Sequence, residues 1–210
     1  MKRFATLLIT SLAFISIASA DGNSQKGEQK AAPCAGCHGE GGKTPSPAAP
    51  DAPVLAGQHA DYLAQQLKAF SASCSEAKAE CRESAIMAPM AAMLAGTGID
   101  DVAAYYASQV NTPIAITEEE KAAGESLYRG GNPATNVAAC IGCHGPTGTG
   151  NAAAKFPSIS GQNPLYVIKS LKDFRSGART STHNGMMNGV TGRLTDSEID
   201  ALAKYVGALH

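Results

Sequence analysis

The chain has 210 residues, with 17 basic and 18 acidic side chains and a formal net charge of −1. It lacks the basic excess of nucleic-acid-binding proteins, so we expect no nucleic-acid partner. Aromatic residues make up 5% of the chain and tryptophan is absent. Small domains of this composition have thin side-chain cores, which a bound cofactor can complete.

The first twenty residues have the pattern of a secretory signal peptide. Met1-Lys2-Arg3 is basic, the run from Leu7 to Ile17 is apolar, and Ala18-Ser19-Ala20 is a small-residue cleavage site. The apolar run is too short to span a bilayer. We therefore expect cleavage of residues 1–20 and a periplasmic mature protein, with an uncleaved N-terminal anchor as the alternative.

The most specific motif is a pentapeptide of the form C-x-x-C-H that occurs twice. The copies are Cys34-Ala35-Gly36-Cys37-His38 and Cys140-Ile141-Gly142-Cys143-His144. C-x-x-C-H is the attachment signature of c-type haem, in which both cysteines form thioethers and the histidine binds the iron. The sequence therefore predicts two covalently bound haem c groups, attached through Cys34, Cys37, Cys140 and Cys143, with His38 and His144 as proximal iron ligands.

Three other chemistries use paired cysteines. A thioredoxin-like redox pair needs no histidine and accompanies a βαβ pattern, which we do not find. A structural zinc site needs two further ligands near each pentapeptide, and no second Cys/His pair has a suitable spacing. A simple disulfide stays open for any cysteine pair in an oxidising compartment.

The second half of the chain repeats the first. Pro53-Val54-Leu55-Ala56-Gly57-Gln58 matches Pro157-Ser158-Ile159-Ser160-Gly161-Gln162 at an offset of 104 residues. The same offset relates Tyr62 to Tyr166, Leu67 to Leu171, Lys68 to Lys172 and Phe70 to Phe174, and an offset of 100 relates Met87 to Met187, Ile99 to Ile199, Asp100 to Asp200 and Tyr105 to Tyr205. Duplication explains this pattern. We expect two domains, at residues 21–112 and 113–210, joined by a link from Gln109 to Thr117.

Apolar residues recur at helical spacing, and no segment has the alternation of a strand, so we expect an all-α protein. Helices are predicted from Gln58 to Phe70 and from Ser160 or Gln162 to Phe174. Capping boxes at Thr117 and Thr195 predict a helix over Glu118 to Gly130 and a final helix that buries Ile199, Leu202, Val206 and Leu209.

The sixth iron ligand decides between an electron carrier and a reactive haem. The candidates are His59, Met87, Met90 and Met93 in the first half and His183, Met186 and Met187 in the second. Met87 and Met187 occupy equivalent positions in the repeat and are expected in loops beyond each pentapeptide. We therefore predict them as the ligands, with Met90 and Met186 as the nearest alternatives. His59 has no counterpart histidine and is expected to start a helix at the surface.

Two further pairs of residues carry predictions. The carbonyls of Pro53 and Pro157 are placed to accept a hydrogen bond from Nδ1 of the proximal histidines, although both prolines could simply make turns. Cys74 and Cys81 fall in a longer loop of the first half and are predicted to form a local disulfide.

The doubled pentapeptide, the Pro-x-(Leu/Ile)-x-Gly-Gln repeat, the Met-x-x-Met stretch and the run Asp173–Arg179 together resemble the dihaem cytochrome c4 family. The resemblance implies two class I cytochrome c domains packed face to face. It also implies electron transport in the bacterial periplasm, commonly towards terminal oxidases, with peripheral membrane association in many members. By position, the family's ligands fall on His38 with Met87 and on His144 with Met187. The Cys74/Cys81 pair departs from the family pattern.

The expected function is single-electron transfer between redox proteins of a respiratory chain, without catalytic residues. A dihaem enzyme of the peroxidase or thiosulfate-oxidising type, with one haem lacking His/Met ligation, is the main alternative, and a gas sensor is another. Residues 21–112 carry six basic and ten acidic side chains, and residues 113–210 carry nine and eight. This difference predicts a molecular dipole, with Arg175 and Arg179 available to the second haem's propionates.

Overall fold

A computed structural model describes residues 22–72, 74, 81–94, 96–180 and 185–210. The predicted signal peptide and His183 lie outside the described residues. Within those ranges the chain forms helices and two isolated β-bridges, with no strand, which confirms the all-α prediction. No helix in the described ranges combines the length and the apolar character needed to cross a membrane.

Ten α-helices follow one another in the described chain, five in each half, in the same order. The first half contains α1 (Ser24–Ala31), α2 (Ala35–His38), α3 (Ala60–Ser71), α4 (Met87–Ala92) and α5 (Gly98–Ala107). The second half contains α6 (Glu118–Gly130), α7 (Ile141–His144), α8 (Pro164–Ser176), α9 (Met186–Thr191) and α10 (Asp196–Ala208). The repeat seen in the sequence is therefore a repeat of structure.

In each half the first and third helices pack against the last. In the first half α1 and α3 contact α5, and in the second half α6 and α8 contact α10. Two separate hydrophobic cores result, one around Val102 and Tyr106 and the other around Tyr128 and Ile199. The predicted apolar face of the last helix is confirmed, because Ile199, Leu202, Val206 and Leu209 are all buried.

The helix starts follow local hydrogen-bonding signals. Thr117 and Thr195 each form a complete capping box with the glutamate three residues later, as predicted. Asn23 caps α1 by accepting from the backbone N–H of Lys26. His59 occupies the N-cap position of α3, which confirms that it begins a helix.

The loop prediction for the two methionine segments was wrong. Met87 begins the six-residue helix α4, and Met187 is the second residue of the six-residue helix α9. Pro89 is tolerated in α4 because the first turn of a helix contains N–H groups that have no intrahelical acceptor. Helices this short present too few residues for a hydrophobic period to show in the sequence.

Two equivalent glycines let the helices in each half cross closely. A methyl group at Gly27 of α1 would overlap the backbone carbonyl of Asp101, and one at Gly124 of α6 would overlap Cβ of Tyr205 and the carbonyl of Ala201. The absence of a side chain at both positions thus sets the distance between the first and last helices of each half. This packing holds the pentapeptide that follows each first helix in place.

Replacing Gly124 with alanine should lower the free energy of unfolding by about 2 kcal/mol, because the overlapping atoms belong to backbone and Cβ and cannot rotate away. Gly130→Ala in the same helix is the matched control, since a Cβ there meets nothing within 4 Å. Urea unfolding followed by circular dichroism measures both variants. Equal stabilities for Gly124→Ala and Gly130→Ala would contradict the close crossing.

Candidate haem sites

Each pentapeptide folds into a single tight turn of helix. In the second copy the His144 backbone N–H donates to the Cys140 carbonyl over 3.0 Å. Residues three and four positions apart lie on the same side of such a turn, so both cysteines and the histidine face one region. The four pentapeptide cysteines are partly buried free thiols. Gly39 and Gly145 end the turns with φ of 75° and 77°, a conformation that favours glycine.

The predicted hydrogen bonds from the histidines to proline carbonyls are confirmed. Nδ1 of His38 lies 2.9 Å from the carbonyl oxygen of Pro53, and Nδ1 of His144 lies 3.0 Å from that of Pro157. A carbonyl oxygen can only accept, so Nδ1 carries the proton and donates. The lone pair of Nε2 is therefore directed away from the loop and is free to bind a metal.

The surroundings of both histidines favour the neutral ring. His38 is 6% exposed and His144 is 8% exposed. Burial lowers the pKa of each imidazole, and the hydrogen bond to the proline carbonyl opposes that effect only in part. Neutral imidazole is the form that ligates a metal. Haem c requires two free thiols for its thioether bonds and an oriented neutral imidazole for its iron. Each turn supplies all three groups, so the residues fit that cofactor.

The methionines predicted as sixth ligands are placed equivalently. Met87 and Met187 are both half-buried in short helices, α4 packed on α3 and α9 packed on α8. The alternative Met186 is 43% exposed, whereas Met90 is half-buried like Met87. Met87 and Met187 therefore stay the predicted ligands, with Met90 and Met186 as the alternatives to be tested.

His59, the histidine candidate of the first half, differs from expectation in one respect. Its side chain is half-buried, and Nε2 is enclosed without a hydrogen-bond partner in the part of the chain that the structure describes. The prediction of a surface residue was therefore wrong.

Comparison with known proteins identifies the family. The family model described as Cytochrome c matches residues 24–109 and again residues 122–210. The chain belongs to the cytochrome c family. It is 44% identical over 190 residues to cytochrome c4 of Thiocapsa roseopersicina, which covers 90% of this chain and 93% of that protein. The crystal structure of reduced cytochrome c4 from Pseudomonas stutzeri superposes with a TM-score of 0.82 at 38% identity, covering 90% of this chain and 100% of that one.

These similarities place the chain with the dihaem cytochromes c4, as the motifs predicted. Cytochrome c domains bind covalent haem c, so this chain carries two haem c groups and functions as an electron carrier. It is also 34% identical over 183 residues to a thiosulfate dehydrogenase electron acceptor of Thiomonas intermedia, which covers 85% of this chain and 79% of that protein.

Two glutamines join the halves at the loops that contact the proximal histidines. Gln162 accepts from the backbone N–H of Val54 over 2.7 Å and donates to the carbonyl of Val54 over 2.9 Å. Gln58 makes the same pair of bonds with Ser158, at 2.9 and 2.7 Å. The sequence showed that these glutamines repeat but gave them no role, because partners more than 90 residues away leave no local signal.

Two arginines also meet between the halves. Arg82 lies over the ring of Phe70 and Arg179 over that of Phe174, with the guanidinium carbon 4.5 and 4.4 Å from the respective ring centres. Both donate to Gln66, over 2.9 and 3.0 Å. No described carboxylate lies within ion-pair distance of either guanidinium.

The tyrosines of the repeat complete this group, which we term the arginine cluster (Tyr62, Gln66, Arg82, Tyr166 and Arg179). Arg179 donates to the hydroxyl of Tyr62 over 2.9 Å, and Arg82 donates to that of Tyr166 over 3.2 Å. Burial opposes ionisation of Tyr166, but the two guanidinium groups outweigh it and lower the pKa of that phenol. The cluster thus concentrates positive charge at the interface.

Arg175, expected to be available to a haem propionate, is engaged elsewhere. It donates to the carboxylate of Asp196 over 2.5 Å and to the carbonyl of Leu194 over 2.7 Å. The Arg175–Asp196 pair has no local signal in the sequence, because the two residues lie 21 positions apart and meet only when α8 packs near the start of α10. Of the two arginines predicted to be available to a propionate, only Arg179 has no carboxylate partner among the described residues.

The predicted disulfide between Cys74 and Cys81 is present, with the Cα atoms 5.2 Å apart. It closes its loop immediately before Arg82, whose backbone N–H donates to the carbonyl of Ala69 over 2.9 Å. The disulfide therefore fixes the chain next to the residue through which the first half contributes to the arginine cluster.

Removing the disulfide with the double variant Cys74→Ala/Cys81→Ala should lower the free energy of unfolding by about 2 kcal/mol, as expected for a short closed loop. Thermal and urea unfolding, recorded with both haems kept reduced, measure the loss. Dithiothreitol should destabilise the wild type by a similar amount and leave the double variant unchanged. A reductant effect of equal size in both proteins would show that the bond contributes nothing.

Proposed function

We propose that the chain carries single electrons in the periplasm between respiratory-chain partners, towards a terminal oxidase. We assign its haems to domains at residues 21–112 and 113–210. The first haem would be attached through Cys34 and Cys37 with His38 and Met87 on the iron, and the second through Cys140 and Cys143 with His144 and Met187. The observation that carries this proposal is that both halves present the same oriented histidine and an equivalent half-buried methionine.

Equal ligand sets favour a carrier over a dihaem enzyme. Peroxidase or thiosulfate-oxidising chemistry requires one haem with an open or displaceable position, and the repeat places a methionine at the same position in both halves. When bound, each haem supplies a one-electron Fe(III)/Fe(II) couple. The thioether of methionine is a soft, neutral ligand that favours Fe(II) and so raises the potential.

Hydrogen bonds and helix packing constrain the proposed ligands. The carbonyls of Pro53 and Pro157 accept from the two histidines, and the helices that contain the two methionines, α4 and α9, pack on α3 and α8. Fixed ligands change little when the oxidation state changes, which keeps the reorganisation small. The arginine cluster supplies positive charge that the described protein carboxylates do not neutralise, and we assign haem propionates as its counter-charges.

The assigned periplasmic location rests on the signal-peptide pattern of residues 1–20. The partner is assigned only by class, as a redox protein that exchanges single electrons with a haem carrier. The relative named as a thiosulfate dehydrogenase electron acceptor indicates one class of donor that also fits a carrier of this kind.

Replacing Met87 or Met187 with alanine should leave the sixth coordination position empty at one haem iron in each variant. Each variant should lose half of the near-infrared sulfur-to-iron charge-transfer band of the ferric protein, bind carbon monoxide at one haem and show one lowered potential. Met90→Ala and Met186→Ala are the matched controls and should keep the full band. Loss of the band in Met90→Ala, with retention in Met87→Ala, would move the first ligand to Met90.

Electron transfer to the oxidase should depend on the charge difference between the domains. Residues 21–112 have a net charge of −4 and residues 113–210 of +1, which orients the carrier before contact. Charge reversals confined to one domain should change the association rate at low salt several-fold and leave it unchanged at high salt. The test is the second-order rate constant as a function of ionic strength. Equal, salt-independent rates for both sets of variants would remove a functional role for the difference.

A further inference from the structure

A single peptide group connects each proximal histidine to the opposite half. The carbonyl of the Pro53–Val54 peptide accepts from Nδ1 of His38 over 2.9 Å, and the N–H of the same peptide donates to Oε1 of Gln162 over 2.7 Å. Histidine, peptide and glutamine thus form one continuous line of hydrogen bonds. The line begins in the first half and ends in the second.

The second half contains the same line in reverse. The carbonyl of the Pro157–Ser158 peptide accepts from Nδ1 of His144 over 3.0 Å, and its N–H donates to Oε1 of Gln58 over 2.9 Å. Each histidine is therefore linked to the glutamine that the other half contributes. The glutamine of the histidine's own half takes no part in that series of hydrogen bonds.

The orientation of both glutamine amides is determined by their neighbours. Oε1 of Gln58 also accepts from the N–H of His59, and Oε1 of Gln162 from the N–H of Asn163, each over 2.9 Å. The Nε2 groups donate to the carbonyls of Ser158 and Val54. An amide flipped by 180° would place donors against donors, so oxygen faces the peptide N–H in both cases.

Burial makes these bonds effective. Gln58 is 7% exposed, Gln162 is 8% exposed and Val54 is 6% exposed, so little water competes for the peptide groups. The peptide is a conjugated unit, and a hydrogen bond accepted from its N–H increases the negative charge on its carbonyl oxygen. In a medium of low polarity such bonds polarise one another and strengthen together.

We propose that each interface glutamine tunes the haem of the opposite half: Gln162 acts on the haem bound by His38, and Gln58 on the haem bound by His144. The inference rests on the proposed ligation of the two irons by these histidines. A more negative proline carbonyl pulls harder on the Nδ1 proton and makes the imidazole more basic. A more basic ligand favours Fe(III), so each glutamine lowers the potential of the other half's haem. The glutamines are positioning residues, because they act through the peptide and the histidine.

The test replaces each glutamine and reads the two potentials separately. Gln162→Leu removes the acceptor and should raise the equilibrium constant for reduction of the first haem about threefold. At 59 mV per tenfold, this is a rise of about 30 mV in the potential. The second haem should move much less. Gln58→Leu is the matched variant and should raise the potential of the second haem, with a much smaller change at the first. Paramagnetically shifted proton signals of each haem, followed during stepwise reduction and assigned through contacts with protein protons of each half, separate the two couples.

A second pair of variants covers the case in which leucine prevents folding. Gln162→Glu and Gln58→Glu retain an acceptor at the peptide N–H and strengthen it, so the potential of the opposite haem should fall. Opposite signs for leucine and glutamate, each confined to the opposite haem, support the proposal. A shift in the haem of the substituted half, equal shifts in both haems, or no shift would overturn it.

Failure of this inference can be distinguished from failure of the proposed function. A wild-type protein without the near-infrared band would refute methionine ligation, and slow oxidation by the oxidase would refute the assigned partner. Neither result alters the expected shift in the potential of the opposite haem, because that shift depends only on His38, His144 and the two glutamines.

Discussion

The hydrogen bond between the Nδ1 of each pentapeptide histidine and a proline carbonyl organises the rest of the site. It fixes the tautomer, directs the lone pair of Nε2 away from the loop and sets the plane of the ring. It also ties the short helical turn that carries the cysteines to the loop that leads into the next long helix. A change in that loop therefore reaches the histidine without any movement of the pentapeptide itself.

The contact between the halves is polar where it touches these loops and positively charged where it contains the arginine cluster. Polar groups in such a place contribute to stability only when they are paired. Gln58 pairs the backbone N–H and carbonyl of Ser158, and Gln162 pairs those of Val54. The arginines use hydroxyls, an amide oxygen and aromatic faces instead of protein carboxylates. That arrangement suits a site where a cofactor brings its own negative charge.

The parts of the structure that the sequence predicted depend on signals within a few residues. The haem motif is complete in five positions, and the capping boxes at Thr117 and Thr195 are complete in four. The proline carbonyls were predicted because Pro53 and Pro157 recur in the loops that follow the pentapeptides, 15 residues after His38 and 13 residues after His144. Helices α4 and α9 were missed because six residues do not display a period. The partners of Arg175 and of the two glutamines were missed because they depend on packing between segments distant in sequence.

The pairs of bonds made by Gln58 and Gln162 relate the halves by an approximate twofold axis. The contact of residue 54 with residue 162 becomes that of residue 158 with residue 58 when the halves are exchanged. This is the isologous pattern of a symmetric homodimer, held here within one polypeptide. In a homodimer a single substitution changes both interfacial copies together, so the two cofactors stay identical. Fusion of the repeats releases that restriction, and each copy of the glutamine can diverge while the other keeps the halves together.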